Sequence, residues 1–143
     1  MEENDEESIL DKGLNAIRDY GAMLKRDLSK PSQTRIYDQG IEAGIPWFVI
    51  QGPFSINGYV VILPDHRRYG ECYEDIPVKV HGGLTFGKPA KDWIITKIKE
   101  SYPTGFVYGF DTAHYMDEYE DWGVENVTKE VKNLAVQFSE LST

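Results

Sequence analysis

The chain has one cysteine, Cys72, among its 143 residues, which excludes an internal disulfide and any cysteine-based zinc pattern. Cys72 is expected to be a partly buried small residue, because a nucleophilic role needs an activating histidine, and His66 and His81 are near it only in sequence. No apolar run approaches the roughly 18 residues that span a bilayer. The opening segment, Met1-Glu2-Glu3-Asn4-Asp5-Glu6-Glu7, lacks the basic and apolar regions of a signal peptide. The expectation is a soluble, cytoplasmic protein with no membrane partner. Basic residues are scarce: 15 Lys and Arg stand against 24 Asp and Glu, a formal charge of -9. Such a field repels phosphate backbones at long range and argues against a nucleic-acid partner. A small anionic ligand would depend on local donors such as Arg35, Arg67, Arg68 or Lys79. Nucleophile elbow, P-loop and dinucleotide fingerprint are all missing.

Hydrophobic residues make up 41% of the chain, enough at this length for one domain, 1–143, around one core. From about Ser8 to Ser29, apolar residues at Leu10, Leu14, Ile17, Met23-Leu24 and Leu28 predict an amphipathic helix, ended by Lys30-Pro31. Its stripe suits either core packing or self-association, the latter making a homo-oligomer. Trp47-Phe48-Val49-Ile50 and Tyr59-Val60-Val61-Ile62-Leu63 predict two strands joined as a hairpin through Gly52–Gly58, with both sheet faces covered. Thr34–Tyr37 is a candidate edge strand. Pro77-Val78-Lys79-Val80-His81 alternates with period two and is expected to be a strand, continued after Gly82-Gly83 by Leu84-Thr85-Phe86. Lys91–Ser101 suits a short helix or a strand, and Phe106–Phe110 a strand. Val127, Val131, Leu134, Phe138 and Leu141 form the stripe of a helix from about Val124 to Leu141. The expected class is α+β, a central, mostly antiparallel sheet of about five strands packed with N-terminal and C-terminal helices.

The chain's three histidines all fall in its middle, at strand ends and loops, where sheets present side chains to ligands. His66 lies in Pro64-Asp65-His66-Arg67-Arg68-Tyr69-Gly70, His81 in Val80-His81-Gly82-Gly83-Leu84-Thr85-Phe86, and His114 in Gly109-Phe110-Asp111-Thr112-Ala113-His114. Together with Asn57-Gly58-Tyr59-Val60 and Tyr73-Glu74-Asp75-Ile76, these motifs resemble a family of small uncharacterised proteins of bacteriophages, prophages and some bacteria. The resemblance covers about residues 45–141 and leaves the helix of residues 1–30 as an addition. It implies a phage setting and a cluster of His66, Tyr69, His81, Asp111, His114 and Asp117, but no established reaction. Where the family's pattern places a proline after the first histidine, this chain has Arg67-Arg68.

The ligand-binding candidates are therefore His66, Tyr69, His81, Gly82, Gly83, Thr85, Asp111, His114 and Asp117, with Tyr73, Tyr115 and Trp122 as flat faces for stacking. Three readings stay open. One is a pocket that sequesters a small nucleotide-like molecule, such as a second messenger of host immunity, in the host cytoplasm and without a cofactor. Another is a hydrolase using His66, His81, His114, Asp111 and Asp117 with a metal, or a histidine and carboxylate as acid and base. The third is an inhibitor acting through a protein interface, its histidines and aspartates merely capping turns. The acidic run from Asp117 to Asp121 is expected to be a solvated face.

Overall fold

The computed structural model describes residues 35–93, 95–113 and 122–142. The expected helix over 8–29, His114, Asp117 and the acidic run lie outside the described residues. Strands β1 (Ile36–Glu42), β2 (Ile45–Gln51), β3 (Ile56–Ile62), β4 (Phe86–Pro89) and β5 (Phe106–Phe110) and helices α1 (Thr96–Ser101) and α2 (Val124–Leu141) follow in chain order. The strands form one antiparallel sheet in the order β1-β2-β3-β5-β4. The architecture is α+β. No described helix is long and apolar enough to cross a membrane.

The apolar runs of β2 and β3 are continuous because successive side chains serve opposite faces, and both faces are covered. Trp47, Val49, Val60, Ile62, Tyr108 and Phe110 point toward α2 and meet its buried stripe of Val127, Val131, Leu134, Ala135 and Phe138. Phe48, Ile50, Val61 and Val107 point the other way, onto Ala90, Trp93 and Ile95 in the segment that leads into α1 and onto Ile98 within it. Each fully buried aliphatic or aromatic side chain contributes about 1.5–3 kcal/mol, so the two clusters fix the sheet from both sides. Lys91–Ser101, undecided in sequence, is a short 3-10 turn followed by α1.

Four expectations are corrected. The edge strand is longer than Thr34–Tyr37, and it pairs with β2 through a two-residue turn in which Ala43 (φ 53) and Gly44 (φ 82) are both left-handed. That is the backbone a tight hairpin requires. The strand expected over Leu84–Phe86 begins only at Phe86. Residues 77–81 belong to no strand; they run along α2, whose Gln137 accepts from Lys79 N at 2.7 Å and donates to Lys79 O at 2.8 Å. A side-chain amide thus takes the place of a neighbouring strand, satisfying the same backbone groups that a ladder would. Cys72, expected to be partly buried, is exposed.

Candidate functional site

The loop entering β4 and the carboxyl end of β5 meet at one end of the sheet. Gly83 N donates to Val80 O at 2.8 Å, closing a turn around His81 and Gly82. Gly82 (φ 69) and Gly83 (φ 79) are both left-handed, a conformation glycine adopts without steric cost. A Cβ on Gly83 would meet nothing within 4 Å, so backbone handedness, and no close approach by a protein neighbour, explains this glycine. The His81 ring lies against Trp122 with centroids 4.1 Å apart and planes 32° from parallel. His81 N donates to Glu130 Oε2 at 2.7 Å, tying the turn to α2. Four positions on, Thr85 N donates to Gly109 O at 2.9 Å, and the Thr85 hydroxyl donates to Asp111 Oδ2 at 3.4 Å. Asp111 Oδ1 accepts from Ala113 N at 3.1 Å, the local turn that aspartate favours.

Beside Asp111 the structure adds residues that the sequence reading assigned to a turn and a strand core. Ser55 Oγ donates to Asn57 Oδ1 at 2.7 Å, which turns Asn57 Nδ2 toward Tyr59 Oη, 3.2 Å away. Gly52 makes room for that amide, since a Cβ there would stand 2.4 Å from Asn57 Nδ2. The Tyr59 ring packs edge-on against Trp93 at 4.6 Å and Phe86 at 5.5 Å. It also lies over Gly109, where a Cβ would come within 2.2 Å of it. Burial pushes the Tyr59 phenol up to about 12, the Asp111 carboxylate adding to the shift and the Asn57 bond opposing it. Tyr59 therefore keeps its proton at neutral pH. Its oxygen already accepts from Asn57, and among the described residues no acceptor takes its hydrogen. The sequence signal was the period-two placement of Asn57 and Tyr59 on one face of β3.

His66 and Tyr69 stand elsewhere. Tyr69 donates its hydroxyl to Thr104 O at 2.7 Å, and its ring packs on Phe106, 6.0 Å between centroids. Phe106 opens β5 and Asp111 follows its end, a separation of roughly 16 Å at about 3.3 Å per residue. His66 is buried, with Nε2 2.8 Å from Phe138 O and Nδ1 accepting from Arg68 N at 2.9 Å. That pair of partners selects the tautomer with the proton on Nε2. Tyr108 fastens the same loop by donating to Glu71 O at 2.6 Å; burial first, then the Glu71 carboxylate, push this phenol well above its ordinary range. Of the nine candidates, then, the structure gathers His81, Gly82, Gly83, Thr85 and Asp111 at one sheet end. It sets His66 and Tyr69 at the other, and His114 and Asp117 fall outside the described residues.

Among the described residues, no group of three or more His, Cys, Asp or Glu stands close enough together to hold a metal ion. No family model matches the chain, and no curated protein or solved structure is significantly similar to it.

Proposed function

We propose that the chain is a small-ligand-binding protein of phage type, which sequesters a nucleotide-derived immune signal in the host cytoplasm without converting it. The phage setting rests on the motif resemblance. The observation that carries the binding reading is the Tyr59 hydroxyl, oriented by Asn57 and with no acceptor for its proton among the described residues, beside the Thr85 and Asp111 pair. The group supplies one fixed donor and one fixed acceptor, the kind of polar pair that orients a ligand in a site otherwise lined by aromatic rings. A base carbonyl suits Tyr59, and ribose hydroxyls or a base N–H suit Asp111. The His81 and Trp122 rings supply an apolar aromatic surface close by in the same loop system. The carboxylate and the net charge of -9 favour a ligand read through its nucleoside part over one read through many phosphates.

The test is retention. Protein is incubated with cyclic nucleotides and ADP-ribose derivatives, freed of unbound material and heat-denatured, and the supernatant is analysed. Unchanged ligand is expected from the native chain, with at least about tenfold less from Tyr59→Phe, since one well-placed hydrogen bond is worth about 1.4 kcal/mol. A converted product would establish a hydrolase, and no retention of any compound would favour the protein-interface reading.

A further inference from the structure

At the opposite end of β3 from Asn57 lies an open cavity of about 340 Å³, bordered by the β1–β2 turn, the exit of β3 and the last turn of α2. None of the sheet-end residues lines it. Its volume falls at the lower end of the range for small-molecule sites, roughly 300–1,000 Å³. Ile45, Pro46 and Leu63 give it apolar walls, and Leu63 is 40% exposed although large and aliphatic.

One polar group of the lining is charged, and the others are the His66 ring and the hydroxyls of Ser139 and Ser142. Asp65 presents an exposed carboxylate that forms no hydrogen bond or ion pair among the described residues. Ser139 donates its hydroxyl hydrogen to Val136 O at 2.7 Å, so its oxygen has only lone pairs left to offer. His66, also in the lining, has both ring nitrogens engaged by main-chain groups. The last turn of α2 carries no basic residue, so the negative end of the helix dipole, where His66 already donates to Phe138 O, meets no positive side chain of its own helix there. The described lining contains no lysine or arginine. Acceptors and negative potential at the mouth of an apolar cleft repel carboxylates and phosphates and attract ammonium groups.

We propose that this cavity binds a small organic amine as its cation, the ammonium held by Asp65 at the end of α2 and the hydrocarbon part against Ile45, Pro46 and Leu63. The site is separate from the sheet-end site and does not depend on it. It is tested by titrating the full chain with 3-methylbutylammonium, 3-methylbutanoate and 3-methylbutanol, following the amide resonances of Ala43, Gly44 and Ser142. Saturable binding of the amine is expected, at least about tenfold tighter than the acid or the alcohol. Asp65→Asn is expected to weaken the amine about five- to tenfold and leave the alcohol unchanged. Because Asp65 has no hydrogen-bond or ion-pair partner among the described residues, this variant should melt with the native chain. Glu100→Gln, which removes a remote exposed charge, controls for general attraction to an acidic protein. Equal affinity for amine and acid, equal weakening by Glu100→Gln, or no saturable shift at these residues would each overturn the proposal.

Discussion

His66 Nε2 donates to the main-chain carbonyl of Phe138 at 2.8 Å, across 72 residues of sequence. The ring also packs on the Phe138 side chain, 5.9 Å between centroids, while Nδ1 receives the Arg68 amide. His66 therefore clamps the loop after β3 to the last turn of α2, and both of its nitrogens are used in doing so.

Replacing His66 with Ala removes two hydrogen bonds and a buried ring, leaving the Phe138 carbonyl without its partner. The expected cost is about 2–4 kcal/mol, read as a lower midpoint in urea. Ligand retention at the sheet end should be unchanged under conditions where the variant stays folded. Loss of retention there, with the native melting temperature preserved, would return His66 to the ligand site.

Gly109 and Gly83 separate two uses of glycine. A Cβ on Gly109 would lie 2.2 Å from Tyr59 Cδ1 and 2.8 Å from Gly58 O. The second contact is backbone and cannot rotate away, so Gly109→Ala should cost about 3 kcal/mol or more. Gly83→Ala meets no neighbour and carries only left-handed strain, about 1–2 kcal/mol. Parallel denaturation curves check the order, and a smaller loss at Gly109 than at Gly83 would contradict the packing of Tyr59.

The Tyr59 phenol gives the protein an alkaline limit. Its folded pKa, about 12, lies above the ordinary value of 10.0, so the folded state holds the proton more tightly than the unfolded chain. The resulting stability is complete below about pH 10 and is lost as pH rises from there toward 12. Tyr108, shifted in the same direction, steepens the decline. Urea midpoints between pH 8 and 11.5 should fall above pH 10, and Tyr59→Phe should flatten the curve. A midpoint constant to pH 11.5 would show that neither phenol is buried as described.

Gln137 stands in for a strand neighbour to Lys79, so its loss should free that stretch selectively. Gln137→Leu is expected to speed amide hydrogen exchange at Lys79 while leaving Val60 and Val107 in the central sheet unchanged. The cost to global stability is about 1 kcal/mol, because these hydrogen bonds are solvent-exposed and net contributions of this kind are small. Unchanged exchange at Lys79 would mean that the Gln137 amide does not protect that backbone.

Local pattern determined the central elements. Val127 to Leu141 repeats with the helical period, and α2 spans Val124–Leu141 as that stripe requires; β2, β3 and β5 declare themselves through β-branched and aromatic runs that must be covered on both sides. Edge strands are harder to read because one side is solvated: Asp38 and Gln39 in β1, and Lys88 and Pro89 in β4, carry no core signature. Period two in residues 77–81 led to the expectation of a strand, which is not there, because the pattern cannot say that the partner of Lys79 is a helix side chain.

The same limit governs the candidate site. His66 and His81 each follow a short apolar segment and look alike in sequence. One closes a loop onto a helix end, and the other lies against Trp122 beside the turn that leads to Thr85 and Asp111. Tyr59 reads as one more core aromatic until Asn57 and Asp111 are placed around its hydroxyl. Sequence determined which residues are apolar, polar or titratable and the local backbone each stretch favours, because those preferences act between near neighbours. Only the tertiary structure decided which polar atoms meet, because those contacts join distant segments whose proximity comes from packing the two faces of one sheet.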